Sequence, residues 1–159
     1  VTEIRTGMGW DSHRIAAGRP LILGGVTIPD AAGLEGHSDA DVLAHAITDA
    51  LLGAAALGDI GMHFPDSDPQ WKGADSLQFL AHTAELVREC GFAILCVDAT
   101  VILERPKLKD YRMPIRQSLA NALTLEIEKV SVKFKTAEGV GPVGLGLSAE
   151  AQAIATLAR

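Results

Sequence analysis

Three stretches of this sequence hold side chains suited to chemistry at charged groups. In 9–15 (GWDSHRI), Asp11 and His13 stand two apart in a strand-like pattern, so both project to one face. In 36–53 (GHSDADVLAHAITDALLG), Asp41, His45 and Asp49 recur every four residues, on one stripe of an otherwise apolar helix. In 133–146 (KFKTAEGVGPVGLG), Thr136 and Glu138 close a strand ahead of a Gly-rich loop. A solvated helix edge normally carries Lys, Glu and Arg, and this stripe carries none. A helix apolar on its other sides is largely buried. An acid beside a buried imidazole then needs a partner, because unpaired buried charge is expensive. A metal is one such partner: the ring coordinates through one nitrogen and is oriented through the other. Asp11, His13 and His45 supply two imidazoles and one carboxylate, a three-ligand zinc set with a fourth position open for substrate or water. Asp49 is the residue expected to orient His45. The plainer alternatives are a solvated polar edge on the helix, a strand-capping His13, and an ion pair between Asp11 and Arg14.

Other residues extend the pattern. His37 and Ser38 lie just before the helix, with Ser38 as its expected N-cap, acids in the first turn, and free backbone N–H groups able to seat a phosphate. In 58–68, Asp59, Asp66 and Asp68 sit among glycine and proline, as in loops that bind hydroxyls or cations and also in ordinary surface turns. Glu138 reads either as a ligand for a hard cation such as Mg2+ or as an exposed turn acid. No Gly-rich segment fits a Walker or dinucleotide fingerprint.

These side chains need a scaffold, and the hydrophobic pattern predicts one. Residues 2–13 alternate as a strand, 20–29 form a hairpin around Gly24 and Gly25, and a helix runs from about 38 to Gly58. A second helix starts at Asp75 or Ser76 and stops before Gly91; 92–105 has strand composition, halted by Pro106. Residues 111–123 are helical in pattern and 130–136 alternate as a strand. The tail (SAEAQAIATLAR) fits either state, since alanine favours helix while Glu150, Gln152 and Ile154 alternate. Intermixed strands and helices in 159 residues, with no repeat or linker, imply a single domain spanning 1–159 of α+β or α/β layers, read here as α+β with a mixed sheet and helices on one face. The net charge of −6 argues against a nucleic-acid binder. An anionic substrate therefore needs local help from metals, N–H groups or single cations. Two cysteines, Cys90 and Cys96, make no disulfide framework and are expected reduced. No signal-peptide pattern occupies 1–10, and the longest apolar runs fall short of a membrane span.

In this order, GWDSHRI, LILGGVTIP, GHSDADVLAHAITDALLGAAALGDIGMHFPDSDP, KGADS, RPKL and KTAEG resemble the 2-C-methyl-D-erythritol 2,4-cyclodiphosphate synthase family of non-mevalonate isoprenoid biosynthesis. The resemblance covers nearly the whole chain. It implies a lyase that closes a cytidine diphosphate ester of methylerythritol 2-phosphate into a cyclic diphosphate and releases CMP. It implies Zn2+ on Asp11, His13 and His45, and Mg2+ or Mn2+ on Glu138 with the diphosphate. His37 and Thr136 become transition-state stabilisers and Ser38 a holder of the attacking phosphate. Asp59, Ile60, Gly61, Phe64, Pro65, Asp66, Ser67 and Asp68 fall in the methylerythritol pocket. Leu103, Glu104, Arg105, Pro106, Lys107, Leu108 and Lys109 form the cytidine side, flanked by Lys135 and Ala137. The resemblance further implies a homotrimer, its sheets facing inward and each active site between two subunits, in a bacterial cytoplasm, without nucleic-acid or membrane partners. One departure stands out: Ala137 follows Thr136 where relatives often have a second threonine. The same residues would also serve a metal-dependent phosphohydrolase, or a non-catalytic domain whose histidines satisfy core polar groups.

Overall fold

Two glycines in the first strand set how closely the main helix lies against the sheet. In the computed structural model, which describes residues 2–159, a five-stranded sheet has the order β4-β1-β7-β5-β6. Its members are β1 (Ile4–Ala16), β4 (Gly33–Leu34), β5 (Ala93–Ile102), β6 (Val130–Lys135) and β7 (Ser148–Ala158); a separate hairpin pairs β2 (Leu21–Leu23) with β3 (Val26–Ile28). Only β5 and β6 run parallel, joined by a crossover that contains the helix at Arg112–Leu123, so the sheet is mixed as expected. The helices are α1 (Val42–Ala55), α2 (Ile60–His63), α3 (Ser76–Glu89), α4 (Arg112–Leu123) and α5 (Gly141–Gly144).

Helix α1 crosses β1 where Gly7 and Gly9 stand opposite Ala155 and Ala153 of β7. A Cβ on Gly9 would come within 1.8 Å of the Ala46 carbonyl oxygen, and one on Gly7 within 2.1 Å of that of Ala50. The flat Gly–Ala patch thus lets helix backbone rest on strand backbone. The same contact decides the tail. Ala149, Ala151, Ala153, Ala155 and Leu157 are buried on the helix side, while Gln152 and Ile154 are exposed on the other. The tail is a strand, because its alternating small residues fit under α1 and tertiary packing overrides alanine's helix propensity. Leu43, Ile47 and Leu51 of α1 are fully buried, each worth about 1.5–3 kcal/mol of transfer free energy. The far face of the sheet carries Met8, Trp10 and Ile154, exposed to 71%, 51% and 47%.

The start of α1 differs from the sequence expectation. The N-cap is Asp41, not Ser38, and the first turn holds no acid. Asp41 is fully buried and accepts from the N–H groups of Ala44 (3.0 Å), Gly24 (2.9 Å) and Gly25 (2.7 Å), which fastens the β2–β3 turn to the helix. Burial pushes its carboxyl up to about 6, against the pull of those three donors. Asp41 therefore belongs to a cap and not to a solvated stripe. Ala56, in the left-handed region at φ 59°, ends the helix ahead of Gly58. Helix α3 starts at Ser76 under an Asp75 cap and stops before Gly91.

Two glycine substitutions are expected to act in opposite directions. Gly9→Ala forces α1 off the sheet and lowers the unfolding free energy by about 3 kcal/mol. Gly53→Ala, whose added Cβ meets nothing nearer than 3.9 Å, raises it by about 0.5–1 kcal/mol. Urea titrations of both variants test this; similar effects would mean that close backbone approach is not why Gly9 is glycine.

Candidate metal centre

Strand β1 and helix α1 bring Asp11, His13 and His45 together. Asp11 and His13 share the helix-facing side of β1, and His45 leaves the first turn of α1 toward them. Asp11 Oδ2 lies 2.8 Å from His13 Nε2 and 3.1 Å from His45 Nδ1, and the two ring nitrogens are 3.2 Å apart. Neighbouring corners of a zinc tetrahedron are about 3.3 Å apart, so the three donors sit at nearly the spacing such an ion requires.

The far nitrogens of both rings show what those near atoms carry. His13 Nδ1 is 2.7 Å from the Glu35 carbonyl oxygen, which only accepts, so Nδ1 holds the proton and Nε2 keeps a lone pair. His45 Nε2 is 2.8 Å from Ser76 Oγ and 3.3 Å from Ser38 Oγ. Burial works against the charged form of Asp11, but the hydrogen bonds and charge that His13 and His45 supply when their near nitrogens carry protons outweigh it and hold the carboxyl down at about 2. Burial likewise disfavours a charged His13, yet the hydrogen bond and charge of Asp11, with the hydrogen bond to the Glu35 carbonyl and the charge of Asp41, together outweigh it and raise the ring's pKa. The cluster therefore attracts a cation, either a proton or a metal.

The triad opens on a cavity of about 460 Å³, also lined by Gly36, His37, Ser38, Ile60, Gly61, Phe64, Pro65, Asp66, Trp71 and Phe79. Arg19 donates to the carbonyls of Gly36 and Ser38, both at 2.9 Å, and pins the loop that carries His37. The His37 ring donates to the Asp68 carbonyl at 3.4 Å. The N–H groups that a Ser38 cap would have left free for a phosphate, those of Asp39, Ala40 and Asp41, go instead to Ala74 O, Ser38 Oγ and Asp39 Oδ1. Asp59 is not among the lining residues; it caps α2 through the Met62 N–H. Asp68 caps the turn at Pro69–Trp71, and neither it nor Ser67 is among the lining residues. Asp49 does not orient His45. Its carboxylate accepts from the Ile60 N–H at 2.7 Å, and the nitrogen it was expected to hold faces Ser76.

Sequence reasoning missed Ser76 as a partner of His45, and Trp71 and Phe79 as cavity walls. Ser76 read simply as a helix start. The aromatic cluster of Phe64, Trp71 and Phe79, with ring centroids 4.5–5.4 Å apart, had no short-range signal.

The cytidine-side residues gather elsewhere. Leu103, Glu104, Pro106, Lys107, Leu108, Lys109, Lys135 and Thr136 line a second cavity of about 350 Å³ with Arg112 and Phe134. It shares no residue with the first. Arg105 departs from this group and lines a different hollow with Asp30 and Gly146. Glu104 accepts from the N–H groups of Ala137 and Gly139, and Thr136 Oγ1 donates to Glu138 at 2.8 Å. Glu138 occupies the left-handed region at φ 53°. Within one chain Thr136 and Glu138 are thus held beside the second cavity and not beside the triad.

An α+β domain that gathers two imidazoles and a carboxylate at an open cavity has the build of a metal-dependent enzyme, the class that fold and site define here. The model of the YgbB family matches residues 4–158, and the chain belongs to that family. It is 71% identical over 157 residues to the 2-C-methyl-D-erythritol 2,4-cyclodiphosphate synthase of Solibacter usitatus, covering 99% of both chains. It is 57% identical to that of Gloeobacter violaceus, covering 98% of this chain and 95% of the relative. A solved structure of a 2C-methyl-D-erythritol-2,4-cyclodiphosphate synthase in a CDP-bound form superposes with a TM-score of 0.89 at 42% identity, over 96% of this chain and 99% of that one. These likenesses do not favour the phosphohydrolase reading.

Metal affinity should follow the protonation of His13. Its raised pKa means that a proton must leave before the ring ligates, so the apparent zinc affinity falls as the solution is made more acidic, from a higher pH than an ordinary imidazole would require. Asp11, held near 2, is already ionised and does not limit binding there. Competition with a chromophoric chelator should show at least about tenfold weaker zinc binding at pH 5.5 than at pH 7.5. A flat profile would mean that His13 is not a ligand.

Proposed function

We infer that this chain closes 4-diphosphocytidyl-2-C-methyl-D-erythritol 2-phosphate into 2-C-methyl-D-erythritol 2,4-cyclodiphosphate, releasing CMP, as a phosphorus–oxygen lyase of isoprenoid precursor synthesis. The 2-phosphate oxygen attacks the β-phosphorus, the bond from that phosphorus to the CMP oxygen breaks, and no water enters. The observation that carries this reading is the convergence of Asp11, His13 and His45 at an open cavity, in a chain matched end to end by named synthases.

Because the attack is intramolecular, the protein's task is mainly to fold the substrate into an in-line pose and to steady developing charge. Asp11, His13 and His45 would hold Zn2+, and Glu138 would hold Mg2+ or Mn2+ with the diphosphate. Such ions withdraw charge from the phosphorus under attack and from the leaving oxygen. His37 and Thr136 present an N–H and an O–H donor to the reacting phosphates, each worth about 3 kcal/mol when aimed at developing charge. Ser38 holds the attacking phosphate, and Ile60, Gly61, Phe64, Pro65 and Asp66 enclose the methylerythritol part. The second cavity, with Lys107 and Lys109 at its edge, takes the cytidine diphosphate end. That a relative was solved with CDP supports this placement.

A single chain keeps these two cavities apart, and its sheet leaves Met8, Trp10 and Ile154 uncovered. Both features support a homotrimer in which sheets face inward and the metal side of one subunit meets the cytidine side of the next. A bacterial cytoplasm fits the bacterial relatives and the two free cysteines, and among the described residues no helix is long and apolar enough to cross a membrane.

Incubation of the purified protein with substrate, Zn2+ and Mg2+ should give equimolar CMP and cyclic diphosphate. Release of inorganic phosphate instead would identify a hydrolase. His37→Ala should lower kcat by about 10²-fold or more. Co-refolding His37→Ala chains with Thr136→Ala chains should restore part of the activity, since some mixed sites combine two intact halves. No recovery in verified mixed oligomers would rule out active sites shared between subunits.

A further inference from the structure

We propose that Asp39 and Ser76 are positioning residues that fix the His45 tautomer, leaving its Nδ1 a bare lone pair for the metal. This deepens the metal-centre reading and rests on it. The inference comes from counting protons. Ser76 is fully buried at the start of α3, and its hydroxyl has one proton to give. Its Oγ makes a very short contact with Asp39 Oδ1, and its backbone N–H donates to Asp39 Oδ2 at 3.1 Å. A carboxylate only accepts, so the hydroxyl proton is committed to Asp39. The oxygen that Ser76 turns toward His45 Nε2, 2.8 Å away, can then only accept; Asp11 Oδ2, the acceptor on the ring's other side, is farther, 3.1 Å from Nδ1, so the single proton of the neutral ring goes to Nε2.

The two histidines are therefore wired from behind by different means. His13 is set by a backbone carbonyl, that of Glu35, which no side-chain change removes. His45 is set by a side-chain relay across three segments: the loop before α1, the start of α3 and α1 itself. With both far nitrogens protonated, two lone pairs and a carboxylate face one another within 3.2 Å. Such a juxtaposition is repulsive until a cation enters it. Ser38 cannot replace Ser76. Its Oγ lies 3.3 Å from the same nitrogen and 3.4 Å from Ser76 Oγ, and no carboxylate claims its proton, so it can donate to the ring as readily as accept.

Two measurements test the relay. In the metal-free protein at pH 8, two-bond 15N–1H correlation spectra of the histidine rings should show His45 protonated on Nε2 and bare on Nδ1. The opposite tautomer in the wild type overturns the proposal, whatever the variants do. Ser76→Ala should give a mixture of His45 tautomers and weaken zinc binding by about 10–100-fold, while His13 keeps its own pattern. Asp39→Asn, which frees the Ser76 proton to point at the ring, should shift His45 the same way. Thermal unfolding of the metal-free chains serves as the folding control. Unchanged zinc affinity and unchanged ring signals in folded Ser76→Ala would refute the relay. A wild type that binds no zinc at all would instead overturn the metal-centre reading beneath it.

Discussion

Three lone-pair-bearing atoms, on Asp11, His13 and His45, are held within 3.2 Å of one another, and much of the fold serves to keep them there. Left alone, such atoms would turn apart toward water. They do not, because each ring is tied from its other side and the elements carrying them are locked by backbone contact. The strand that bears Asp11 and His13 also bears Gly7 and Gly9, and it is through those glycines that α1, with His45, comes close. Adding a methyl at Gly9 would therefore disturb the triad without touching any of its three side chains.

Polar groups in this domain are buried where they join segments. Asp41 ties α1 to the β2–β3 turn through three backbone N–H groups. Asp39 ties the preceding loop to the start of α3, and Arg19 ties it to the chain leaving β1. The loop of 36–41 is thus held from three directions, which gives His37 a fixed place at the cavity. The acids of this segment serve as structural clamps, and on the proposed function the charge that handles substrate comes from a cation held by the triad and a few donors. A net charge of −6 on an enzyme of a highly anionic substrate is consistent with that division.

On the proposed function, one chain does not complete a catalytic site by itself. Thr136 and Glu138 sit at the end of β6, beside a cavity that the triad does not line. Large apolar side chains stand uncovered on the sheet face away from the helices. A single association that covered this face and joined the cavities would resolve both conditions, which is the physical appeal of the proposed trimer.

The sequence by itself settled the domain class, most elements, the family and the three metal-ligand candidates, because periodicity and i+2 or i+4 spacing are local facts that side-chain chemistry makes readable. It placed α3, α4, β5 and β6 within a few residues of their ends. It left the tail open between helix and strand, since alanine permits both and only the nearness of α1 selects one. It misassigned the N-cap of α1 and the partner of His45, giving to Ser38 and Asp49 what belongs to Asp41 and Ser76. Those errors share a cause. Asp41 caps α1 while gripping a turn sixteen residues earlier, and Ser76 reaches His45 across thirty-one residues. Such pairings depend on how helices and loops are stacked, and stacking is decided by the whole chain at once, not by the spacing within any one segment.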